Sequence, residues 1–255
     1  VLAQILSQDL FGLLLVFTRV GAAMMVMPTV GETAVPGRWR LMFAGTLTIL
    51  VMPALTGRLP PLPDSPFALF LLLAAEIVIG LFIGGIGRIL LGALYTAGTI
   101  ISYQASLSNA FAMDLTAQQQ GSLPGLFLGT LGVLLLMLTD MHHMMIRAIF
   151  DSYGLFPPGQ LPPIEDMTEV VTRLVAQSFL IGVQLSAPLI AIGLVMYLGV
   201  GLLARLMPQM QVFFIIQPAQ IAIGLIVLAI TLPAMMLWFL DDYQESFARA
   251  LGAGW

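Results

Sequence analysis

Asp140-Met-His-His143 gathers the only two histidines of the chain beside one carboxylate. Imidazole and carboxylate ligate first-row metals and work as acid–base pairs. On a helix either use needs the groups on one face, at i, i+3 or i, i+4. Adjacent histidines on a helix of 3.6 residues per turn point about 100° apart. Asp140 and His143 can therefore face each other while His142 turns away. The spacing favours helix-end hydrogen bonding over a metal centre, and no metal or other cofactor is expected. Serines are plentiful, but none stands in a Gly-x-Ser-x-Gly turn, and no phosphate loop or dinucleotide fingerprint is present. Cysteine is absent, which removes disulfides and thiolate chemistry. An intramembrane enzyme using Asp140 and His143 has little support, and the chain is expected not to be an enzyme.

A second set of reactive groups lies in or beside apolar runs: Arg19, Glu32, Glu76, Arg88, Asp140, Gln177, Gln184, Gln217 and Gln220. A charge at the bilayer centre costs about 2.5–3.5 kcal/mol on insertion scales, so each should pair or face water. Glu76 and Arg88 are separated by about 18 Å along one helix and must find partners on other helices or other subunits. Two uses are open: a proton or ion path, or structural ion pairs between subunits. The acids are not spaced as a relay, which favours structure. Were they functional, Glu76, Arg88 and Asp140 would form the coupling site of a polytopic secondary transporter. Such folds usually carry internal repeats, and none is found.

Composition decides what must position these groups. The chain has 255 residues, 59% hydrophobic and 9% charged, against about 25% charged in ordinary soluble domains. No soluble fold of this size hides so much apolar surface, so this is an integral membrane protein or the core of a membrane complex; the fold class expected is an all-α membrane protein. Its basic residues are all arginine and the net charge is −4, which argues against nucleic acid. Val1–Asp9 has no basic n-region or small-residue cleavage site, so no cleavable signal is expected, and a start without Met suggests a trimmed terminus. Six apolar stretches run over about 10–30, 39–57, 66–101, 122–150, 174–204 and 212–240. The third would reach about 54 Å as one helix, well past a hydrocarbon core of about 30 Å.

Such helices must tilt, kink or bury apolar surface against other protein. Gly80, Gly84, Gly85 and Gly87 permit bending and close helix approach. Pro188, Pro208, Pro218 and Pro233 predict kinked helices. Pro-rich connectors are expected at Leu59–Pro66 and Phe156–Pro163, with a helix starting near Asp166 and Glu169. Arg38, Arg40 and Arg205 fall on one side of six spans, and Arg58, Arg173 and Arg249 on the other, so the positive-inside rule gives no orientation. Met24, Met25, Met27, Met207 and Met210 flank prolines. They read as core filler, or as a deformable seal if they line a pore.

Between the third and fourth stretches, Ser102 to Gly125 is a run of small, hydroxyl and amide side chains with a single charge, Asp114. Water-exposed membrane loops usually carry more charge, so this one reads as touching protein or lining a cavity.

Four segments, in order along nearly the whole chain, carry a resemblance. They are Pro28-Thr-Val-Gly-Glu32 with Val35-Pro-Gly-Arg-Trp-Arg40; Glu76-Ile-Val-Ile-Gly-Leu-Phe-Ile-Gly84; the run from Gly98 through Asp114 to Gln118-Gln-Gln120; and Leu206-Met-Pro-Gln-Met-Gln-Val-Phe-Phe-Ile-Ile-Gln-Pro218 with Ile223-Gly224. Together they resemble the FliR/SctT family of the type III secretion export gate, the flagellar branch being favoured. The resemblance implies kinked helical hairpins: a FliP-like part over 1–172 and a FliQ-like hairpin over 173–255. It implies a helical cone around a central channel, with about five copies of FliP and about four of FliQ. The switch protein FlhB would wrap the mouth. Unfolded flagellar proteins would pass through the bacterial inner membrane at the flagellar basal body, with part of the cone on the periplasmic side.

The polar run becomes, by the same resemblance, a pore plug over about 106–121. It would use Ser106, Asn109, Phe111, Met113, Asp114, Gln118, Gln119 and Gln120, with Phe111, Met113 and Asp114 at the tip. Many relatives have Asp-Pro here, whereas Asp114 is followed by Leu115. Contacts between helices or subunits are assigned to Arg19, Glu32, Arg40, Glu76, Arg88, Gln209, Gln211, Gln217 and Gln220. Amides there can pair across subunits at about 1 kcal/mol per bond without burying charge.

Overall fold

The computed structural model describes residues 2–55, 57–107, 122–206 and 212–252. Among them the chain forms seven helices and no strand: α1 (Leu2–Val26), α2 (Gly37–Leu55), α3 (Pro66–Gln104), α4 (Leu123–Leu138), α5 (Met141–Leu155), α6 (Ile164–Leu206) and α7 (Val212–Ala250). Four are long and apolar enough to cross a membrane: α1, α3, α6 and α7. The broken pair α4 and α5 makes a fifth if counted as one span. The six stretches are thus fewer spans than the hydropathy pattern suggested, because α2 falls short and the fourth stretch is interrupted.

The breaks follow local chemistry. Residues 57–65 and 156–163, where proline removes donors and fixes φ, are non-helical as expected. The fourth stretch breaks at Asp140, which takes a left-handed conformation (φ 59°) that ends one helix and opens the next. Helix α6 begins at Ile164, two residues before Asp166, so Glu165 and Asp166 lie in its first turn, where the helix dipole favours them. Pro188 lies inside α6, and Pro218 and Pro233 inside α7, each of which continues through its prolines. Pro208, Met207 and Met210 fall outside the described residues.

The long helices are much longer than a bilayer needs: α3 has 39 residues and α6 has 43, about 58 and 65 Å. Only 11% of the most apolar window of α6 is buried within the chain. Phe179, Val195, Leu198 and Leu202 stand more than 60% exposed. A side chain of that kind gains about 1.5–3 kcal/mol on full burial, so lipid or other protein must cover this helix.

Two compact units divide the chain without following its order. The first holds residues 1–89, 136–174 and 247–255; the second holds 90–135 and 175–246. In the first unit α1 lies against α2. A Cβ built on Gly80 would overlap the Arg19 carbonyl, and one on Gly84 the Ala23 carbonyl, so the backbones of α1 and α3 touch through the Gly-x-x-x-Gly pair. Gly85 faces open space. Val16, Val20, Met24 and Met27 of the α1 side are buried with Ile79, Ile83 and Ile86 of α3. Met24 and Met27 are therefore core filler, while Met25 is 39% exposed.

In the second unit the buried stripe of α3 continues at the same three- and four-residue spacing through Leu90, Leu94, Ala97 and Ile101. Leu185, Leu189, Phe239 and Tyr243 are buried on α6 and α7. Gln177 donates to Asp242 (3.2 Å) and to Ser246 (2.6 Å), a side-chain tie between α6 and α7.

Candidate functional site

The charged residues singled out by sequence are matched within the chain. Arg19 is fully buried on α1 and its Nε donates to Glu76 Oε2 at 2.5 Å. Its other nitrogens donate to Ser152 Oγ (3.2 Å) and to the carbonyl of Phe156 (2.9 Å), and the Tyr153 ring lies 4.1 Å from the guanidinium carbon. Glu76, only 1% exposed, also accepts the backbone N–H of Gly159. Gly159 holds φ 87° with Pro60 packed on it. One cation thus ties α1, α3, the end of α5 and the connector after it. Ser152 and Tyr153 were not singled out by sequence, since a Ser-Tyr pair on a short helix carries no distinguishing pattern.

Arg88 pairs with Glu32, a half-exposed contact. Glu32 belongs to the turn between α1 and α2, which Arg40 clasps by donating to the carbonyls of Val35 (3.0 Å) and Glu32. Gly31 is required there, because a Cβ would overlap the carbonyls of Met25 and Met27. Glu76 and Arg88 each find a partner within this chain but away from α3, one of the two alternatives their spacing left open. Neither charge is left over for coupling to a solute.

The polar run is pinned at both ends. After α3 ends, Ser106 adopts φ 55° and its buried hydroxyl donates to Gln220 Oε1 on α7 at 2.8 Å. Ala105 is pressed against α7 where a Cβ on Gly224 would strike it. A cavity of ≈ 10 Å³, about one water-sized probe, lies here, lined by Gln104, Ala105, Met196, Gln220 and Gly224. Gln104 Oε1 is buried there without a hydrogen-bond partner among the described residues. At the other end Ser122 caps α4 by accepting the N–H of Gly125 (3.1 Å). Thr99 Oγ1 stands 3.5 Å from Ser122 Oγ, and Gly98 and Gly125 touch through their backbones. Thr99, which faces Ser122, lies about 8 Å along α3 before its end at Gln104, and Ser106 follows just beyond that end.

Of the expected plug residues only Ser106 is described; Asn109, Phe111, Met113, Asp114, Gln118, Gln119 and Gln120 lie outside the described residues, as do Gln209 and Gln211. Gln217 is half-buried and Gln220 buried on α7. Ser122 and Thr99 were missed as anchors, although Ser122 two residues before Pro124 is a readable helix start.

Asp140 and His143 face each other, with His143 Nδ1 3.3 Å from Asp140 Oδ1. His142 does not turn away as the helical wheel predicted. Asp140 lies in the turn rather than the helix, so the wheel does not apply to it, and the three side chains come together. A further cavity of ≈ 320 Å³ in the first unit is lined by Phe82, Phe156, Met167 and Val170 with one acid, Asp166; a substrate site wants several convergent polar groups.

Among the described residues these features define an all-helical membrane protein whose polar groups tie its helices together and fix the residues flanking the polar run. Comparison with known proteins gives the class a family. Residues 10–246 match the model for "Bacterial export proteins, family 1". The chain is 39% identical over 231 residues to flagellar biosynthetic protein FliR of Caulobacter vibrioides, covering 91% of this chain and 92% of that one. It is 29% identical to FliR of Bacillus subtilis, covering 90% and 89%. It is 26% identical to Yop proteins translocation protein T of Yersinia pestis, covering 92% and 91%. The chain belongs to this bacterial export family, that of FliR and SctT.

Proposed function

We propose that the chain is a non-catalytic subunit of the flagellar type III export gate, in the bacterial inner membrane at the basal body. It joins FliP and FliQ, in about five and about four copies in a helical arrangement, to form a channel for unfolded flagellar proteins, with FlhB at its mouth. The flagellar assignment rests on the higher identity to FliR than to the Yop translocation protein. Residues 1–172 play the FliP-like part and 173–255 the FliQ-like hairpin. The long helices with little burial inside the chain supply surface for such partners.

The observation that carries the reading is the pinned polar loop on a chain of this family. Its two anchors both lie beside the last turns of α3, whereas a segment the length of 108–121 can span about 48 Å. The anchoring contacts of Ser106 and Ser122 support a plug rooted beside the end of α3. Low charge suits a plug that must meet passing chains without holding them. Phe111 and Met113 supply bulk, and Asp114 the one charge.

The test is ion conductance of membranes containing the assembled complex. Deleting 107–121 should open a steady leak, and restoring the loop should close it; unchanged conductance in the deletion would remove the plug assignment. The secondary-transporter reading is not favoured, since Glu76 and Arg88 are each engaged by a partner.

A further inference from the structure

We propose that Asp140, His142 and His143 form a divalent metal site of the zinc class at the turn between α4 and α5. One ligand atom from each lies within 4.8 Å of the others. Donors around tetrahedral zinc, at bonds of about 2.0–2.2 Å, sit about 3.4 Å apart. The closure required is small. Two of the three side chains are free to supply it, His143 being 70% and Asp140 78% exposed.

Two features indicate that these donors are uncommitted. Asp140 stands at the N-cap of α5, yet its carboxylate makes no cap hydrogen bond; it turns to His143 instead. Nδ1 of His142 is buried and has no hydrogen-bond partner among the described residues. The two imidazoles lie 4.0 Å apart between ring centroids, tilted by 38° to each other. The left-handed backbone at Asp140 makes the set possible, because it moves the carboxylate out of helical register with the two histidines.

The donor chemistry narrows the ion. Two imidazoles and one carboxylate suit Zn²⁺, Ni²⁺ or Cu²⁺, whereas Mg²⁺ and Ca²⁺ take oxygen ligands. Three protein ligands leave a tetrahedral ion one open position, to be filled by water or by a group from a neighbouring chain. A bound ion would fix the turn that joins α4 to α5.

The test uses the full chain, purified on a tag without histidine, titrated with Zn²⁺ by calorimetry and with Co²⁺ by its visible absorption. One ion per chain is expected. Both His142→Ala and His143→Ala should weaken binding at least about 10-fold, the cost of losing even an outer-shell partner at a metal site. Asp151→Asn, an exposed acid further along α5, should leave binding unchanged. The wild-type chain gives an independent readout, since these are its only histidines. Zn²⁺ should protect both from diethyl pyrocarbonate, read by mass spectrometry. Absence of Zn²⁺ binding, binding indifferent to both histidine variants, or unprotected histidines at saturating Zn²⁺ would each overturn the site.

Discussion

Replacing Arg19 and Glu76 by Met, singly and together, tests whether the buried pair is held by mutual need. Each charge is fully enclosed. Arg19→Met leaves Glu76 with the Gly159 N–H alone, and Glu76→Met leaves the guanidinium with Ser152 and a carbonyl. Breaking a buried pair by removing one partner costs about 3–5 kcal/mol. For a chain of this size 1 kcal/mol moves the unfolding midpoint by about 2–4 °C, so each single variant should fall by about 6–20 °C. The double variant removes both charges. Its remaining cost is chiefly the Phe156 carbonyl and the Gly159 N–H left without partners, about 1 kcal/mol each, because Ser152 keeps its bond to Ile149. It should therefore be more stable than either single variant. The assay is the fraction of the purified complex remaining monodisperse after a temperature ramp, with secretion followed in parallel. A double variant destabilised by the sum of the singles would refute the reasoning. Normal assembly with abolished secretion in Glu76→Met would assign that acid to transport.

Gly80→Ala and Gly84→Ala should each cost about 1–3 kcal/mol by overpacking α1 against α3, while Gly85→Ala, with open space at its Cβ, should be neutral or stabilise by up to about 1 kcal/mol; thermal midpoints of the purified chain check both. Ser106→Ala or Gln220→Leu should loosen the loop root and raise basal ion conductance above wild type, though below the loop deletion; wild-type conductance in both would remove the anchor. Ser122→Ala, losing the α4 cap, should cost about 1 kcal/mol, whereas Ser122→Asp should retain most of it. Reversing the half-exposed Glu32–Arg88 pair should change stability by less than about 1 kcal/mol, read from the same thermal ramps.

The membrane class and the helix locations were legible because apolar runs bounded by proline and glycine leave few other solutions. The spacing of Glu76 and Arg88 rightly excluded a pair within one helix. It could not name Arg19 and Glu32, because partner identity depends on how α1 seats on α3. That seating follows from Gly80 and Gly84 meeting the α1 backbone at Arg19 and Ala23, a contact visible only in three dimensions. The break at Asp140 was hidden for a different reason. Its left-handed backbone is one residue's departure inside an apolar run, and helical geometry assumed through that point misplaced His142. The loop was legible as a polar interruption, but its fastening to Gln220 joins residues far apart in sequence. Met24 and Met27 show the limit of composition, since a methionine cluster beside a proline reads alike as seal or as core.

The most direct test of the export-gate assignment is native mass spectrometry of the complex purified through a tag on this chain. One copy of this chain should appear with several copies each of two other small membrane proteins, and this composition should survive loss of the 107–121 loop. A monomer or homodimer, with no second kind of membrane subunit, would contradict the account.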